Sequence, residues 1–384
     1  MSEMNRTPVE IPSDLRDAAA SALAAAAQKV EKLVTEHPDH LPLFTKHGKW
    51  LHDEDPWTNW CEGFPPGMMW IFARHLDSSA WRPRAEHYCE LLRGREFDRE
   101  VHDLGFTFWH SWRPWYAETG DESLNDVIVQ AGKTMGLRFH EKAGLLRSFR
   151  APDSTFIDIM MNVGIIYYAA QQSGDVDLLR RVQTHCLQTR RYLVRGDGST
   201  SHEGMFDLET GEFLKQTTQQ GYRDDSSWAR GQAWALYGFG TVYALTGEKV
   251  FLETARACAD FYIDRTGDAF VPPNDWEEPS PAQPYESSAA AIAASGMLQL
   301  AALVPDRGES QRYAAYAFEI VRTLSGPRFS ASSDPAWDGI LKHGSYHETK
   351  NLGVDESVMW GEYFYVEALD KVLGGELAPV SLSW

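Results

Sequence analysis

Residues 220–239 read Gln-Gly-Tyr-Arg-Asp-Asp-Ser-Ser-Trp-Ala-Arg-Gly-Gln-Ala-Trp-Ala-Leu-Tyr-Gly-Phe, a polar loop that runs directly into a helix rich in alanine and glycine. Such small residues let neighbouring backbones come close, as they must inside a ring of helices. The first turns carry Trp228, Arg230, Gln232 and Trp234, which can grip a polar, planar ligand. Arg230 and Trp234 are spaced i,i+4 and so share one face. The segment therefore predicts both an inner helix and part of a site.

A long loop followed by a helix rich in small residues recurs along the chain. The long connections precede every second predicted helix, whereas the links after those helices are short. Predicted helices lie at about 13–36, from 63 onward, and at 80–94, 102–117, 121–139, 154–173, 175–194, 226–246, 248–264, 286–303, 309–325 and 356–373. This alternation predicts an all-α (α/α)6 barrel, a toroid of six helical hairpins whose even helices lie inside. The alternative is an irregular or open helical array.

The barrel is expected to form a single catalytic domain over residues 1–384, after a short polar leader of about residues 1–12. The segment 195–225 could hold a short hairpin with Gly196-Asp-Gly198 as its turn. The long loops and the starts of the inner helices share one mouth. A ligand is expected to sit there.

Charge and composition narrow the possible partners. The formal net charge of −19 is spread along the chain, so nucleic acid and anionic membranes are repelled. A long polyanionic polysaccharide is repelled too, whereas local Arg residues could hold a short fragment that carries few charges. The 14 Trp suit stacking on sugars as well as core packing. The four Cys are far apart, and neither a signal peptide nor a membrane-length apolar run is recognisable, so we expect a cytoplasmic enzyme of open oligomeric state.

Two aspartates stand at the starts of predicted inner helices. Asp103 opens the helix in His102-Asp-Leu-Gly-Phe106, where a helix cap is the simplest interpretation. Asp158 lies among apolar residues, past the cap candidates Asp153 and Ser154, so burial there costs more than an ordinary cap does. If both carboxyls face the pore, their mutual repulsion raises one pKa. A carboxyl that keeps its proton near neutrality suits acid/base work on a sugar.

Other constellations point to less. His343, His347 and Glu348 resemble metal ligands only superficially, because they lie in a glycine-containing loop and no H-E-x-x-H motif is present. Neither a metal nor a cofactor is predicted. Motifs for nucleophilic serine, phosphate-binding loops and dinucleotide binding are also missing. The acidic clusters Asp53-Glu-Asp55 and Glu277-Glu278 are interpreted as solvated loop charges.

Four segments form a recognisable pattern. They are His102-Asp-Leu-Gly-Phe106, Ile157-Asp-Ile-Met-Met-Asn162, Gly221 to Phe239 with its Ser-Ser-Trp-Ala-Arg-Gly-Gln-Ala-Trp core, and Val354-Asp-Glu-Ser-Val-Met-Trp-Gly-Glu-Tyr363. Together they resemble the unsaturated glucuronyl hydrolases, glycoside hydrolase family eighty-eight, and the likeness runs from about Trp57 to Leu369. The resemblance implies an (α/α)6 barrel. It also implies that the enzyme removes a 4,5-unsaturated uronic acid from the non-reducing end of lyase-generated oligosaccharides of the glycosaminoglycan type.

Matched motif by motif, the resemblance implies that Asp158 is the catalytic acid/base and Asp103 its essential partner. It implies substrate-binding roles for Trp60, His102, Phe106, His202, Gln220, Arg230 and Trp234. The guanidinium of Arg230 can pair with a sugar carboxylate. Ser345 and Lys350 match part of a loop with which some members bind sulfated sugars, although Glu348 stands where a neutral residue would help. Ser148-Phe149-Arg150 replaces an expected Trp-containing segment of the pocket wall.

The implied reaction is hydration of the C4=C5 double bond, in which Asp158 protonates C4 and water adds at C5. Three alternatives stay open: an unsaturated rhamnogalacturonyl or ulvan-type hydrolase on the same barrel, a sugar isomerase or epimerase, and a non-catalytic glycan-binding protein. Epimerases of this fold rely on His pairs, and none is obvious on the inner helices. A binding protein would need neither aspartate.

Overall fold

The computed structural model describes residues 9–51, 60–280 and 284–374. The predicted cluster Asp53-Glu-Asp55, Trp57 and the first eight residues of the leader lie outside these ranges. The helices are α1 (Ser13–Glu36), α2 (Phe64–His75), α3 (Ser78–Glu90), α4 (Leu104–Phe108), α5 (Trp112–Thr119), α6 (Glu122–Gly136), α7 (Ile159–Ser173), α8 (Val176–Leu193), α9 (Ala229–Thr246), α10 (Lys249–Thr266), α11 (Ser287–Leu303), α12 (Arg307–Ser325) and α13 (Met359–Val372). None of the helices in these ranges has the length and apolarity that a membrane crossing needs.

The helices form two concentric rings. The inner ring runs through α2, the α4–α5 pair, α7, α9, α11 and α13, and it closes because α13 packs against α2. The outer ring consists of α1, α3, α6, α8, α10 and α12, each of which packs on an inner neighbour. The predicted (α/α)6 barrel with the even helices inside is confirmed.

Small residues set the spacing of the inner ring. A Cβ added at Gly238 of α9 would lie 2.8 Å from the carbonyl oxygen of Met160 on α7. One added at Gly296 of α11 would lie 2.9 Å from the Cβ of Tyr237. Both distances are shorter than carbon contacts allow, so larger side chains would push the inner helices apart. The outer helices instead show one buried face, as in α8 with Leu178, Val182 and Cys186.

Short strands lie in the long loops between the helices. They are β1 (Thr45–Lys46), β2 (Lys49–Trp50), β3 (Phe139–His140), β4 (Leu145–Leu146), β5 (Ser154–Phe156), β6 (Glu203–Phe206), β7 (Phe213–Thr217), β8 (Gly344–His347) and β9 (Leu352–Glu356). β5, β6 and β7 form one antiparallel sheet, and β8 pairs with β9. The predicted hairpin in 195–225 therefore lies at β6–β7, whereas Gly196-Asp-Gly198 turns between the bridged residues Val194 and Thr200.

Two predicted helices differ from the observed ones. The helix at 102–117 is divided into α4 and α5, because Pro114 has no N–H to donate to the carbonyl of His110. The helix at 154–173 begins only at Ile159, because residues 154–156 pair with residues 203–205 of β6. This long-range pairing, which local sequence does not reveal, puts Asp158 at the junction between a strand and an inner helix.

Candidate active site

A pocket opens at the mouth, where the long loops meet the starts of the inner helices. It encloses about 680 Å³, including space that is open to solvent. Its lining residues are Trp60, His102, Asp103, Phe106, Phe149, Arg150, Phe156, Asp158, Gln219, Gln220, Arg230, Trp234, Tyr346, His347 and Lys350. Both predicted catalytic aspartates face this one pocket. Of the predicted substrate-binding residues, only His202 and Ser345 are outside the lining.

Asp158 precedes α7 without capping it. Within the described residues its side chain makes no capping hydrogen bond, and its Oδ1 is buried without a hydrogen-bond partner. Burial raises the pKa of Asp158 to about 7, while the positive charge of Arg230 offsets part of that rise. A desolvated carboxyl with this pKa can both release and recover a proton near neutrality.

Asp103 precedes α4 and is 4% exposed. Among the described residues its side chain makes no capping bond either, so the capping interpretation is wrong for this residue. Burial raises the pKa of Asp103 well above its usual range, and the negative charge of Asp158 raises it further. The repulsion predicted from the sequence acts on Asp103, where burial is the larger cause, whereas the rise at Asp158 comes from burial.

Asn162 ties the two aspartates together. Its Nδ2 donates to Asp103 Oδ1 over 3.4 Å and to the carbonyl of Asp158 over 3.3 Å. Its Oδ1 accepts the Phe106 N–H over 2.7 Å. A Cβ at Gly105 would lie 2.6 Å from the Asn162 Cα, so α4 and α7 meet at backbone distance. Gly105 and Asn162 both belong to recognised sequence motifs, but those motifs gave no sign that Asn162 clamps α4 to α7.

A neutral histidine accompanies each aspartate. Nδ1 of His102 accepts the Phe149 N–H over 2.9 Å, and Nδ1 of His202 accepts the Gln219 N–H over 3.1 Å. Burial lowers the pKa of both rings well below the usual value, so each imidazole is neutral and its proton is assigned to Nε2. These Nε2 atoms lie 3.4 Å from Asp103 Oδ1 and 4.0 Å from Asp158 Oδ1. His202 thus faces Asp158 from behind the pocket wall.

Aromatic rings form one wall and the floor. The Phe106 ring centroid lies 5.5 Å from that of Trp60 and 5.1 Å from that of Trp234. The other residues of the opening stretch do not join them. Trp228 packs on Arg230 with 4.3 Å between the guanidinium carbon and the ring centroid, and Gln232 donates from Nε2 to the carbonyls of Gly198 and Cys258. The expectation that Trp228 and Gln232 grip the ligand is wrong, because both support the site from inside the core.

Arg230 lines the pocket as a buried, internally bonded cation. Nη1 forms an ion pair with Glu286, and Nη2 donates to Gln220 Oε1 and, over 2.8 Å, to the carbonyl of Tyr346. Glu286 lies 56 positions further along the chain and was not recognised in the sequence. Direct pairing with a sugar carboxylate would have to compete with these bonds. The charge of Arg230 acts on Asp158 without contact.

Ser345 and Lys350 lie in different places: only Lys350 lines the pocket. Ser345 is fully buried, and its main-chain N–H donates to Glu286 Oε1 over 3.2 Å while its carbonyl accepts from Arg230. It therefore supports Arg230 and does not reach the pocket, which corrects its predicted role in substrate contact. Lys350 follows β8 and lines the pocket.

Glu203 is a buried residue behind the pocket lining that sequence reasoning missed. It is fully buried and accepts hydrogen bonds from Arg150 Nη1 at 3.0 Å, Thr217 Oγ1 at 2.6 Å and Gln219 Nε2 at 2.7 Å. Two of these donors, Arg150 and Gln219, line the pocket. Glu203 follows His202 directly, so its place in that motif was the available signal. The wall segment that departs from the expected Trp contributes Phe149, whose ring lies 5.2 Å from that of His102.

Glu277 and Glu278 are not plain solvated charges. Glu277 accepts the Ser227 N–H over 2.7 Å. Asn274 Nδ2 donates to Glu278 Oε1 over 3.2 Å and to Glu348 Oε2 over 3.0 Å. Burial, together with the neighbouring Glu348 carboxyl, raises the pKa of Glu278 to about 8. Glu278 and Glu348 thus form a pair around Asn274. Across the described residues, no three His, Cys, Asp or Glu side chains gather as a metal site would need.

Paired buried carboxyls in an aromatic pocket at the mouth of an (α/α)6 barrel define a carbohydrate-active enzyme. The chain belongs to Glycosyl Hydrolase Family 88, whose model matches residues 44–274, and it is therefore a glycosidase. It is 32% identical over 330 residues to the unsaturated glucuronyl hydrolase of Bacillus sp. (strain GL1), covering 83% of this chain and 87% of that one. It is 28% identical to the unsaturated chondroitin disaccharide hydrolase of Streptococcus agalactiae serotype III (strain NEM316), covering 81% of each.

Solved structures agree. The crystal structure of the Bacillus sp. GL1 enzyme superposes with a TM-score of 0.85 at 30% identity and covers 92% of this chain and 96% of its own. The unsaturated glucuronyl hydrolase from Streptococcus agalactiae superposes with a TM-score of 0.87 at 26% identity, over 95% of this chain and 94% of its own.

Proposed function

We propose that this glycosidase removes a 4,5-unsaturated uronic acid from the non-reducing end of lyase-generated oligosaccharides of the glycosaminoglycan type. The observation that carries the proposal is the environment of Asp158. Its carboxyl lies in the same pocket as Asp103, has a buried Oδ1 without a hydrogen-bond partner among the described residues, and has a pKa of about 7. A weakly acidic carboxyl that is largely removed from water suits protonation of an electron-rich alkene.

The chemistry follows from the substrate. The C4=C5 double bond is attached to the ring oxygen and is therefore an enol ether. Asp158 gives its proton to C4, the positive charge at C5 is shared with the ring oxygen, and water adds at C5 while its proton goes to the Asp158 carboxylate. The hemiketal that results opens, and the rest of the saccharide leaves. Because hydration starts the reaction, the separation of the carboxyls does not report retention or inversion.

Asp103 is the proposed partner of this acid. Two carboxyls in one desolvated pocket resist carrying two negative charges, so the ionisation of one favours the protonated form of the other. When Asp158 has given up its proton, Asp103 remains in the same pocket, with Nε2 of His102 3.4 Å from its Oδ1. Asn162 keeps the pair in register through its bonds to both segments.

The substrate class is supported by what related proteins bind. A Streptococcus agalactiae unsaturated glucuronyl hydrolase variant has been complexed with dGlcA-GalNAc6S, at 25% identity to this chain. A further neighbour, at 29% identity, is a variant complexed with dGlcA-Glc-Rha-Glc. The aromatic wall of Trp60, Phe106 and Trp234 offers this chain a stacking surface for the sugar ring.

A panel of unsaturated disaccharides tests the proposal. Fragments from chondroitin, hyaluronan, heparin and pectin would be compared by the loss of the ultraviolet absorbance of the double bond. We expect turnover of at least one glycosaminoglycan fragment and none of its reduced counterpart, in which the double bond is saturated and cleavage would be followed by chromatography of the released saccharides. Turnover of the pectin fragments alone would favour the rhamnogalacturonyl alternative. Cleavage of the saturated counterpart at a similar rate would contradict hydration as the mechanism.

Two broader expectations accompany this function. We infer a single catalytic domain, which is supported by the packing of α1 against both α12 and α13, so that the two ends of the described chain meet in one ring. The cytoplasmic location expected from the sequence stays a prediction, and cell fractionation tests it.

A further inference from the structure

An arginine-rich groove leaves the catalytic pocket on one side. It encloses about 800 Å³, including open space, and contains the side chains of Arg99, Arg138, Arg147 and Arg150 but only one acid, Glu100. Its other lining residues are Thr134, Leu137, Ser148, Phe149, Ala151 and Pro152. Four cations around one groove are unusual in a chain whose formal net charge is −19.

The groove adjoins the catalytic pocket. Phe149 and Arg150 line both cavities and form the wall between them. Arg150 is held in place by Glu203, to which its Nη1 donates over 3.0 Å, although 43% of the Arg150 side chain remains exposed. A saccharide that extends out of the pocket past this wall enters the groove.

Arg138 is a preformed cation at the base of the groove. Its Nε donates to the carbonyl of Arg147 over 2.8 Å, its Nη2 to that of Ser148 over 2.6 Å, and its Nη1 to those of Arg99 and Val101. These bonds hold the guanidinium without neutralising its charge. They also join the loop before α4 to the loop after β4, so the groove is rigid before any ligand arrives.

The surroundings of the loop that carries Lys350 are acidic instead. There Glu278 and Glu348 share Asn274 as a donor, and Glu348 precedes the pocket residue Lys350 by two positions. An anionic group is favoured among the four guanidinium groups of the groove.

We propose that the groove of Arg99, Arg138, Arg147 and Arg150 is a subsite for an anionic group, a carboxylate or a sulfate, on the saccharide that leaves. This inference rests on the proposed function and adds the substrate class. The enzyme prefers unsaturated oligosaccharides whose reducing-side residues are themselves acidic. The preference comes from the groove and not from the carboxylate of the unsaturated ring, which all these substrates share.

The experiment compares three substrates by kcat/KM, measured as loss of the double-bond absorbance. They are an unsulfated hyaluronan disaccharide, its tetrasaccharide with a uronate on the third ring, and a sulfated chondroitin disaccharide. The wild-type enzyme is expected to favour at least one acidic substrate over the unsulfated disaccharide by roughly tenfold at low ionic strength, and to lose most of this preference in 0.5 M salt. Preference for the tetrasaccharide assigns the groove to a carboxylate, and preference for the sulfated disaccharide assigns it to a sulfate.

Variants locate the effect. The double variant Arg99→Gln, Arg147→Gln is expected to bring the preference ratio down to about one, mainly through KM, because rim charges act on binding. Arg99→Gln alone, which changes an exposed side chain, is expected to give part of this loss if the double variant does not fold. The matched control Arg223→Gln removes an exposed cation elsewhere at the mouth and should keep the wild-type ratio.

The two proposals fail in different ways. An enzyme that leaves every unsaturated disaccharide intact would contradict the proposed function. An enzyme that turns over the unsulfated disaccharide but shows no preference for either acidic substrate, or the same preference in Arg99→Gln, Arg147→Gln as in Arg223→Gln, would overturn the subsite.

Discussion

The carboxyls at the two ends of the barrel have pKa values that are shifted in opposite directions. At the mouth, Asp103 and Asp158 have raised pKa values. At the far end, a second cavity of about 800 Å³ contains Glu367 and Lys371, and there the pKa of Glu367 is lowered. Glu367 accepts from Tyr237 Oη over 2.7 Å and from Lys371 Nζ over 3.3 Å, as well as from Ser295.

The comparison shows that partners, and not burial alone, decide whether an inner carboxyl keeps its proton. Burial raises the pKa at both ends, but at the far end the charge of Lys371 is the largest of several effects that lower the pKa of Glu367 and together outweigh burial. An aromatic layer separates the ends, in which Phe364 lies 5.3 Å from Trp234 between ring centroids and Trp234 lies 5.1 Å from Phe106. The carboxyls at the mouth can therefore keep a proton near neutrality, whereas Glu367 at the far end is stabilised as a charged partner of Lys371.

The largest effect is expected from Asp158→Asn. The amide cannot deliver a proton, so kcat should fall roughly a thousandfold, within the range of general acid/base catalysis, while disaccharide binding measured by calorimetry stays within about threefold. The matched control Asp126→Asn changes an exposed carboxylate on the outer helix α6 and should keep wild-type turnover. Turnover by Asp158→Asn close to that of the control would remove this residue from the mechanism.

Glu367→Gln tests the ion pair at the far end of the barrel. It leaves Lys371, which is only 3% exposed, without its carboxylate, so the free energy of unfolding should drop by about 3 kcal/mol. Turnover per folded molecule should stay within about twofold. Denaturant unfolding and activity measured on the same samples test this. If Glu367→Gln instead lowers kcat as Asp158→Asn does, the far end takes part in the chemistry.

Gly105→Ala tests the clamp between α4 and α7. The new methyl group would meet the Asn162 Cα at 2.6 Å and force the Asp103 segment away from Asp158. We expect kcat/KM to fall roughly ten- to thirtyfold with a smaller loss of stability, since overpacking typically costs about 1–3 kcal/mol. Gly164→Ala is the control, because its Cβ has 3.8 Å to its nearest neighbour. Equal activities of the two variants would mean that the approach of α4 to α7 does not position the carboxyls.

The pH dependence of stability gives an effect that is small over any one pH unit. The folded pKa of Asp158, about 7, lies above its unfolded value of about 3.9, so the folded state binds more protons between these values. The free energy of unfolding should therefore fall by up to about 1.4 kcal/mol per pH unit as pH rises from 4 to 7 through this residue. Asp158→Asn should show a shallower slope over that interval in urea titrations. Identical slopes would show that Asp158 is ionised throughout.

The sequence predicts the barrel well because loop lengths and small residues repeat six times and each repeat reinforces the others. The same alternation puts the starts of all inner helices at one mouth, and so predicts that Asp103 and Asp158 share a pocket. It does not reveal how Arg230 and Ser345 are bonded, because their partner Glu286 belongs to another hairpin and only the closed ring brings them together. It misses Glu203 and Asn162, since the hydrogen bonds that give them a role span 14 to 59 positions of sequence.

The ionisation of Asp158 is the central claim, and its carboxyl carbon reports it directly. In enzyme labelled with ¹³C-aspartate, the Asp158 resonance would be identified by its absence from Asp158→Asn and followed from pH 4 to 9. The account predicts a titration midpoint near 7. A midpoint near 4, the value of an ordinary solvated aspartate, would contradict it.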